Sequence, residues 1–149
     1  MAQLDTFNLP DDLYYQTEDH LWVRVEANLA RIGLDDVALA SAQVVTHLRL
    51  KPPGRPIPQG RPFGTMEAGK YVGPLRLPVS GKVIEINQDL LDNPSLAPLS
   101  SDPYNAGWLA LVEPDNLQGD LVNLAHGAAV QPWLEKSVAD WRARGLLKK

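Results

Sequence analysis

Thirteen prolines and eleven glycines cut this 149-residue chain into short apolar segments, most of them before residue 115. Both residues weaken a helix interior and punctuate turns. A chain broken so often can bury its apolar groups only through short strands joined by many turns, so the sequence reads as mostly β. Strands are expected at 13–15, 21–25, 29–34, 44–50, 63–67, 82–86 and 108–112. In the second of these, Leu21, Val23 and Val25 alternate with Trp22, Arg24 and Glu26, the period-2 pattern of a strand with two distinct faces. Glu26-Ala-Asn28 supplies the turn to the next strand, and Asp35-Asp36 an N-cap for a short helix through Ala42.

The proline-rich stretch Lys51-Pro-Pro-Gly-Arg-Pro-Ile-Pro-Gln-Gly60 is expected to be a rigid loop within one sheet system, because β-type sequence continues on both sides. Beyond Glu113-Pro114 the pattern turns helical. A short helix is expected within 115–124, and a longer one opens at Gln131-Pro132 and stops at Gly145. Trp133, Leu134, Val138 and Trp141 recur at helical spacing, an apolar stripe that should pack on the β domain. One domain spanning 1–149 is therefore expected, with a β core over about 13–113 and a helical segment over about 115–145.

Lys plus Arg number 14 against 18 Asp plus Glu, and a formal charge of −4 argues against a nucleic-acid binder. No apolar run reaches membrane-spanning length and the N-terminus lacks a basic-then-apolar pattern, so a cytoplasmic protein without membrane association is expected. The chain has no cysteine, hence no disulfide framework and no thiolate metal site. His20, His47 and His126 show no metal-ligand spacing. No Ser/His/Asp, paired-carboxylate or phosphate-loop constellation is visible, so no catalytic residues are assigned. Any redox chemistry would require a borrowed group.

The stretch Phe63-Gly-Thr-Met-Glu67-Ala-Gly69-Lys70-Tyr71-Val-Gly-Pro74 carries the chemistry. A strand arrives at Glu67, Gly69 permits a tight turn, Lys70 projects from it, and a strand leaves through Tyr71 and Val72. An exposed lysine on a stiff hairpin suits a swinging carrier. Pro78-Val-Ser-Gly-Lys-Val-Ile-Glu-Ile-Asn87, Asn93-Pro, Asp102-Pro-Tyr and Gly107-Trp-Leu follow it, and His20-Leu-Trp-Val-Arg-Val-Glu26 and Gly33-Leu-Asp-Asp36 precede it.

With these segments, from about Tyr15 to Val112, the chain resembles the H protein of the glycine cleavage system, a relative of the lipoyl and biotinyl domains. The resemblance implies a barrel-sandwich hybrid of the lipoyl/biotinyl hammerhead type with short helices and a C-terminal helix. It implies lipoate on Lys70 in the hairpin context of Glu67, Gly69 and Tyr71. Biotin carriers usually flank their lysine with methionine, and Gly69 and Tyr71 stand there instead. Glu67 would be read by a lipoate-attaching enzyme or pair with a nearby Arg or Lys. His20 and Leu21 would line the cleft beside the arm, or His20 would be structural beside Trp22. The lack of cysteine would keep an attached dithiolane from forming a mixed disulfide with its own carrier.

Two positions depart from the family's usual pattern. Glu67-Ala-Gly-Lys-Tyr71 stands where Glu-Ser-Val-Lys-Ala is typical, and Leu21 replaces the glutamate of His-Glu-Trp, which is associated with the cleft that shelters an aminomethyl-loaded arm. The stretch Glu67 to Pro74 is similar instead to the lipoate-binding proteins of the heterodisulfide-reductase-like sulfur-oxidation pathway. A monomeric carrier of sulfur intermediates is therefore expected, working with a heterodisulfide-reductase-like complex and a dihydrolipoyl-dehydrogenase-like oxidoreductase. The alternatives are a glycine-cleavage carrier working with the other glycine-cleavage components, and a non-lipoylated interaction domain of the same fold.

Overall fold

The computed structural model describes residues 2–69 and 71–147. A hairpin of β1 (Ala2–Leu4) and β2 (Phe7–Leu9) opens the chain, followed by β3 (Tyr14–Gln16), β4 (Leu21–Glu26), β5 (Leu29–Leu34) and helix α1 (Asp36–Ala42). Next come β6 (Val45–Leu50), β7 (Pro56–Ile57), β8 (Pro62–Ala68), β9 (Tyr71–Arg76) and β10 (Gly81–Ile86). Short helices α2 (Gln88–Leu91) and α3 (Ala97–Ser101) precede β11 (Ala110–Pro114); α4 (Leu117–Leu121) and the long α5 (Val130–Ala143) end the chain. Three sheets result: β1-β2, a six-stranded β3-β4-β5-β11-β10-β7, and a three-stranded β6-β8-β9. The mostly β architecture with a C-terminal helix holds. The sheets stay open, however, and do not close into the barrel that the hammerhead resemblance implied.

The period-2 pattern of β4 explains how two apolar clusters arise from one strand. Leu21 and Val23 point into the main cluster with Ile32, Leu34, Phe63 and Leu77. Trp22 points the opposite way, into a second cluster with Leu9, Leu13, Tyr15, Leu134 and Val138. That second cluster is built largely from the two terminal elements, β1-β2 and α5. The sequence reading placed no strand before residue 13. Strands β1 and β2 are three residues each, and part of what holds their hairpin is distant: the side chain of Gln131 on α5 bonds both backbone groups of Gln3.

Trp22 lies flat against its cross-strand neighbour Gly33, and a Cβ there would sit 2.4 Å from the indole. The indole Nε1 donates to the Pro103 carbonyl. The proline-rich stretch is tied into the sheets at Lys51 N to Phe63 O, Gly54 N to Val83 O and Gly60 N to Leu77 O, and Pro56–Ile57 pairs with β10. The expected strand at 108–112 begins later, at Ala110, because the Trp108 amide closes a turn on Asn105 and its carbonyl accepts from Asn87.

Candidate functional site

Strand β8 is the middle strand of its sheet, flanked by β6 and β9. Its residues alternate: Phe63, Met66 and Ala68 are buried, while Thr65 and Glu67 are exposed. Beyond Ala68, which pairs with Tyr71, Gly69 takes φ +57° in open space, the left-handed turn for which glycine has no steric penalty. Lys70 and the Tyr71 side chain lie outside the described residues; the Tyr71 backbone opens β9. The Glu67 carboxylate lies 3.1 Å from His47 Nδ1 on the neighbouring β6. Its neighbour is thus a histidine, where the sequence suggested arginine or lysine. Both side chains are about half exposed, so the contact adds little stability.

The inward side of this hairpin opens onto a groove of about 390 Å³. Met66, Pro74 and Leu75 supply the hairpin wall, and Leu34, Ala38 and Ala42 the floor. Trp141, Arg144, Gly145 and Leu146 close the far side, with Glu18 and Asp19 at the rim. Asp19 is paired with Arg76 at 3.2 Å and Arg144 with Asp140 at 3.3 Å. Gly69 lies three positions beyond Met66, about 10 Å of extended strand at roughly 3.3 Å per residue.

His20 and Leu21 do not border this groove. Both are fully buried. Leu21 pairs with Leu34 inside the main cluster, so the expected cleft position is a core position. The acidic lining residues are Glu18 and Asp19, three and two residues before Leu21. His20 adopts φ +64° at the turn into β4, a conformation that histidine enters more readily than most non-glycine residues. Its Nδ1 lies 2.7 Å from Asp35 Oδ2 and its Nε2 lies 2.6 Å from Ser137 Oγ. The other oxygen, Asp35 Oδ1, accepts from the amides of Val37 and Ala38 and caps α1. A carboxylate can only accept, so Nδ1 carries the proton; in the neutral ring Nε2 accepts from the serine hydroxyl.

The three residues have the order and spacing of a hydrolytic triad, a constellation the sequence reading did not find. The serine lies in the middle of a helix, its backbone amide inside the helical hydrogen-bonding pattern, and only 9 % of Ser137 is exposed. The ring is covered by Trp133, stacked at 4.6 Å, and by the edge of Trp141 at 4.7 Å. With the nucleophile closed to substrate, the chain of hydrogen bonds pins β4, α1 and α5 together. The clue in the sequence was a serine between Leu134 and Val138 on the apolar stripe of α5, a polar group that needed a buried partner.

Two tyrosines carry similar structural roles. Tyr104 accepts from the Asp36 amide and donates to the Asn8 carbonyl, joining α1 to the N-terminal hairpin. Burial pushes its phenol well above the ordinary tyrosine range, as it does that of Tyr15, which donates to the Pro10 carbonyl. Among the described residues there is no cluster of side chains able to hold a metal ion, and no helix is long and apolar enough to cross a membrane.

Comparison with known proteins places the chain as a whole. The profile of the family described as "Glycine cleavage H-protein" matches residues 13–137. This chain belongs to that family. Glycine cleavage system H protein 2 of Aquifex aeolicus is 38 % identical over 120 residues, covering 80 % of this chain and 73 % of the relative. Glycine cleavage system H protein 3 of the same organism is 35 % identical over 137 residues, covering 89 % and 84 %. The crystal structure of a glycine cleavage system H protein from Mycobacterium marinum superposes with a TM-score of 0.65 at 32 % identity, covering 72 % of this chain and 87 % of that one. H proteins carry lipoate covalently on a lysine and act as carriers within a multi-enzyme system, without catalysing a reaction themselves.

Proposed function

We propose that Lys70 is the lipoyl attachment site of this H-protein-family member, and that its arm carries the aminomethyl group of glycine cleavage. The observation that supports this reading most is the β8-β9 hairpin. It has a positive-φ glycine at its tip, immediately before Lys70, and a groove with an acidic rim along its inner side. Lipoate would supply thiol–disulfide chemistry at the end of the arm. The protein's own residues hold the root of the arm on a stiff two-stranded support and offer a recess lined by Met66, Leu75 and Trp141. The partners proposed are a lipoate-attaching enzyme, reading Glu67 beside the tip, and the other glycine-cleavage components.

Leu21 argued against an aminomethyl cargo only if position 21 faced the arm. It faces the core, and Glu18 and Asp19 furnish the carboxylates at the groove instead. A cationic amine near the rim would be attracted by Glu18 and by Asp19, an attraction that the Arg76 partner of Asp19 and Arg144 on the far side reduce. The second reading is transfer of sulfur intermediates with heterodisulfide-reductase-like partners. It is favoured by the Glu67 to Pro74 sequence and by the apolar groove floor, which asks for no charge on the cargo.

Intact mass of protein produced with a lipoate ligase should show a single lipoyl adduct that disappears in Lys70→Ala; an adduct surviving that substitution refutes the site. Offered to a glycine decarboxylase with glycine, the lipoylated carrier should then accept an aminomethyl group. Failure to load, with lipoylation verified by mass, would turn the assignment to sulfur transfer.

A further inference from the structure

Between Asp36 and Glu67 the chain has no acidic residue, and it has four basic ones: Arg49, Lys51, Arg55 and Arg61. With these four set aside, 10 basic residues stand against 18 acidic ones, a formal charge of −8 on the remainder. All four are exposed. None of their side chains has a hydrogen bond or ion pair among the described residues, whereas Arg24, Arg31, Arg76, Arg142 and Arg144 each bond a carboxylate or carbonyl oxygen. The backbone beneath them is tied down. The Lys51 amide donates to the Phe63 carbonyl, and the amide of Gly54, beside Arg55, to the Val83 carbonyl. The Arg61 carbonyl accepts from Leu77. The result is a stiff strip of uncompensated positive charge. It starts on the sheet that carries the hairpin: exposed His47 and Arg49 on β6 pair with exposed Glu67 and Thr65 on β8. These residues share the outer face of that sheet, whereas Met66 lines the groove on the inner one. Thr65 lies four positions before Gly69, about 13 Å of strand at roughly 3.3 Å per residue.

We propose that this strip is the docking surface for an acidic patch on an enzyme that acts on the Lys70 arm. This rests on the proposed lipoylation of Lys70. Three observations name the occupant. The charge of −8 on the remainder repels a long polyanion, such as a nucleic acid or an anionic membrane, wherever it runs beyond the strip. An acidic protein patch of matching size meets only the strip. Three of the four cations are arginines, whose planar fork suits carboxylate pairs at interfaces, and here no internal partner has to be given up. The strip also adjoins the β8-β9 hairpin, so an enzyme seated on it has the hairpin tip beside it. Docking and cargo are thereby separated: the outer face of the sheet recruits the enzyme, and the tip presents the arm.

The test uses the lipoylated full chain, verified by intact mass. The initial rate of its loading by the cognate glycine decarboxylase with glycine is measured at about 0.05 and about 0.3 M salt. At low salt the triple variant Arg49→Glu, Arg55→Glu, Arg61→Glu should raise the KM for the carrier about tenfold with kcat unchanged. The wild-type KM should rise with salt, and that of the variant should not. Lys136→Glu, a reversal of the same sign on the exposed side of α5, should keep the KM within about twofold of wild type. The replaced arginine side chains are exposed and unbonded, so the fold does not depend on them. Equal KM values for wild type and the triple variant overturn the proposal. Self-association of the variant with an unchanged KM would show that the charges only guard the edge strand β6. Binding of the wild type to a single-stranded oligonucleotide or to anionic phospholipid vesicles, lost in the variant while the KM stays the same, would assign the strip to a polyanion and also overturn it. A verified carrier that the decarboxylase does not load counts against the aminomethyl cargo instead. The same KM comparison is then made with a dihydrolipoyl dehydrogenase, which oxidises the reduced arm whatever its cargo. Absence of a lipoyl adduct in the mass spectrum refutes the attachment site, and the docking proposal falls with it.

Discussion

Replacing His20 by alanine removes the centre of a hydrogen-bonded chain that joins three elements, and the structure allows the loss to be estimated. The bond to the Asp35 carboxylate is charge-assisted and fully buried, worth about 1.5–3 kcal/mol. The Ser137 hydroxyl would be left without its partner at a cost of about 1 kcal/mol, and the ring's packing between Trp133 and Trp141 would be lost as well. A total of about 4 kcal/mol follows. At roughly 2–4 °C per kcal/mol for a domain of this size, the melting temperature should fall by about 8–16 °C. His20→Asn should lose roughly half as much, because asparagine tolerates positive φ and can still donate to Asp35. Urea unfolding monitored by tryptophan emission measures each value. A double-mutant cycle with Ser137→Ala should give a coupling of about 1 kcal/mol between the two positions. A loss below about 1 kcal/mol for His20→Ala, or strict additivity in the cycle, would show that the chain of hydrogen bonds does not pin the helix and would refute the reasoning.

Gly33→Ala places a methyl group 2.4 Å from the Trp22 ring, which cannot shift without breaking its bond to Pro103; a destabilisation of about 2–3 kcal/mol and an altered near-ultraviolet circular dichroism spectrum are expected. Burial raises the Asp36 carboxyl above its ordinary value even though it accepts from the Asn8 amide. The folded state therefore holds this proton more tightly than the unfolded state. Its contribution is fully present below the unfolded value and is lost as pH rises through the folded one. Asp36→Asn should flatten the decline of the urea midpoint across that window, and an unchanged slope would remove Asp36 as its source.

Much of the β framework could be read from the chain. The alternation Leu21 to Glu26, the turn at Ala27 and the Asp35 cap all occur as expected because each rests on neighbours within a few residues. The C-terminal helix packs its Leu134 and Val138 stripe as the helical spacing required. The proline-rich segment lies inside the sheet system, as expected from the β-type sequence on both sides. The N-terminal hairpin was not legible. Its strands are three residues long, and they are held by Gln131 and Tyr104, about a hundred residues away or more. For position 21, and for position 20 beside its structural alternative, a cleft role was expected because period-2 patterning separates the faces of a strand without saying what covers each one. Both faces of β4 are covered here, one by the main cluster and the other by the terminal elements.

The sequence by itself determined the short-strand architecture, the glycine-turn hairpin around Lys70, and membership of a recognisable family, since all three are written in local spacing. Only the tertiary structure decided which acidic side chains edge the groove, and that Ser137, His20 and Asp35 meet. It alone set the far wall of the groove with residues from the end of the chain. Local geometry follows from neighbouring residues. A groove is made by segments far apart along the chain, and nothing in the spacing of Met66 and Trp141 tells that they line one groove until the sheets and the helix are packed.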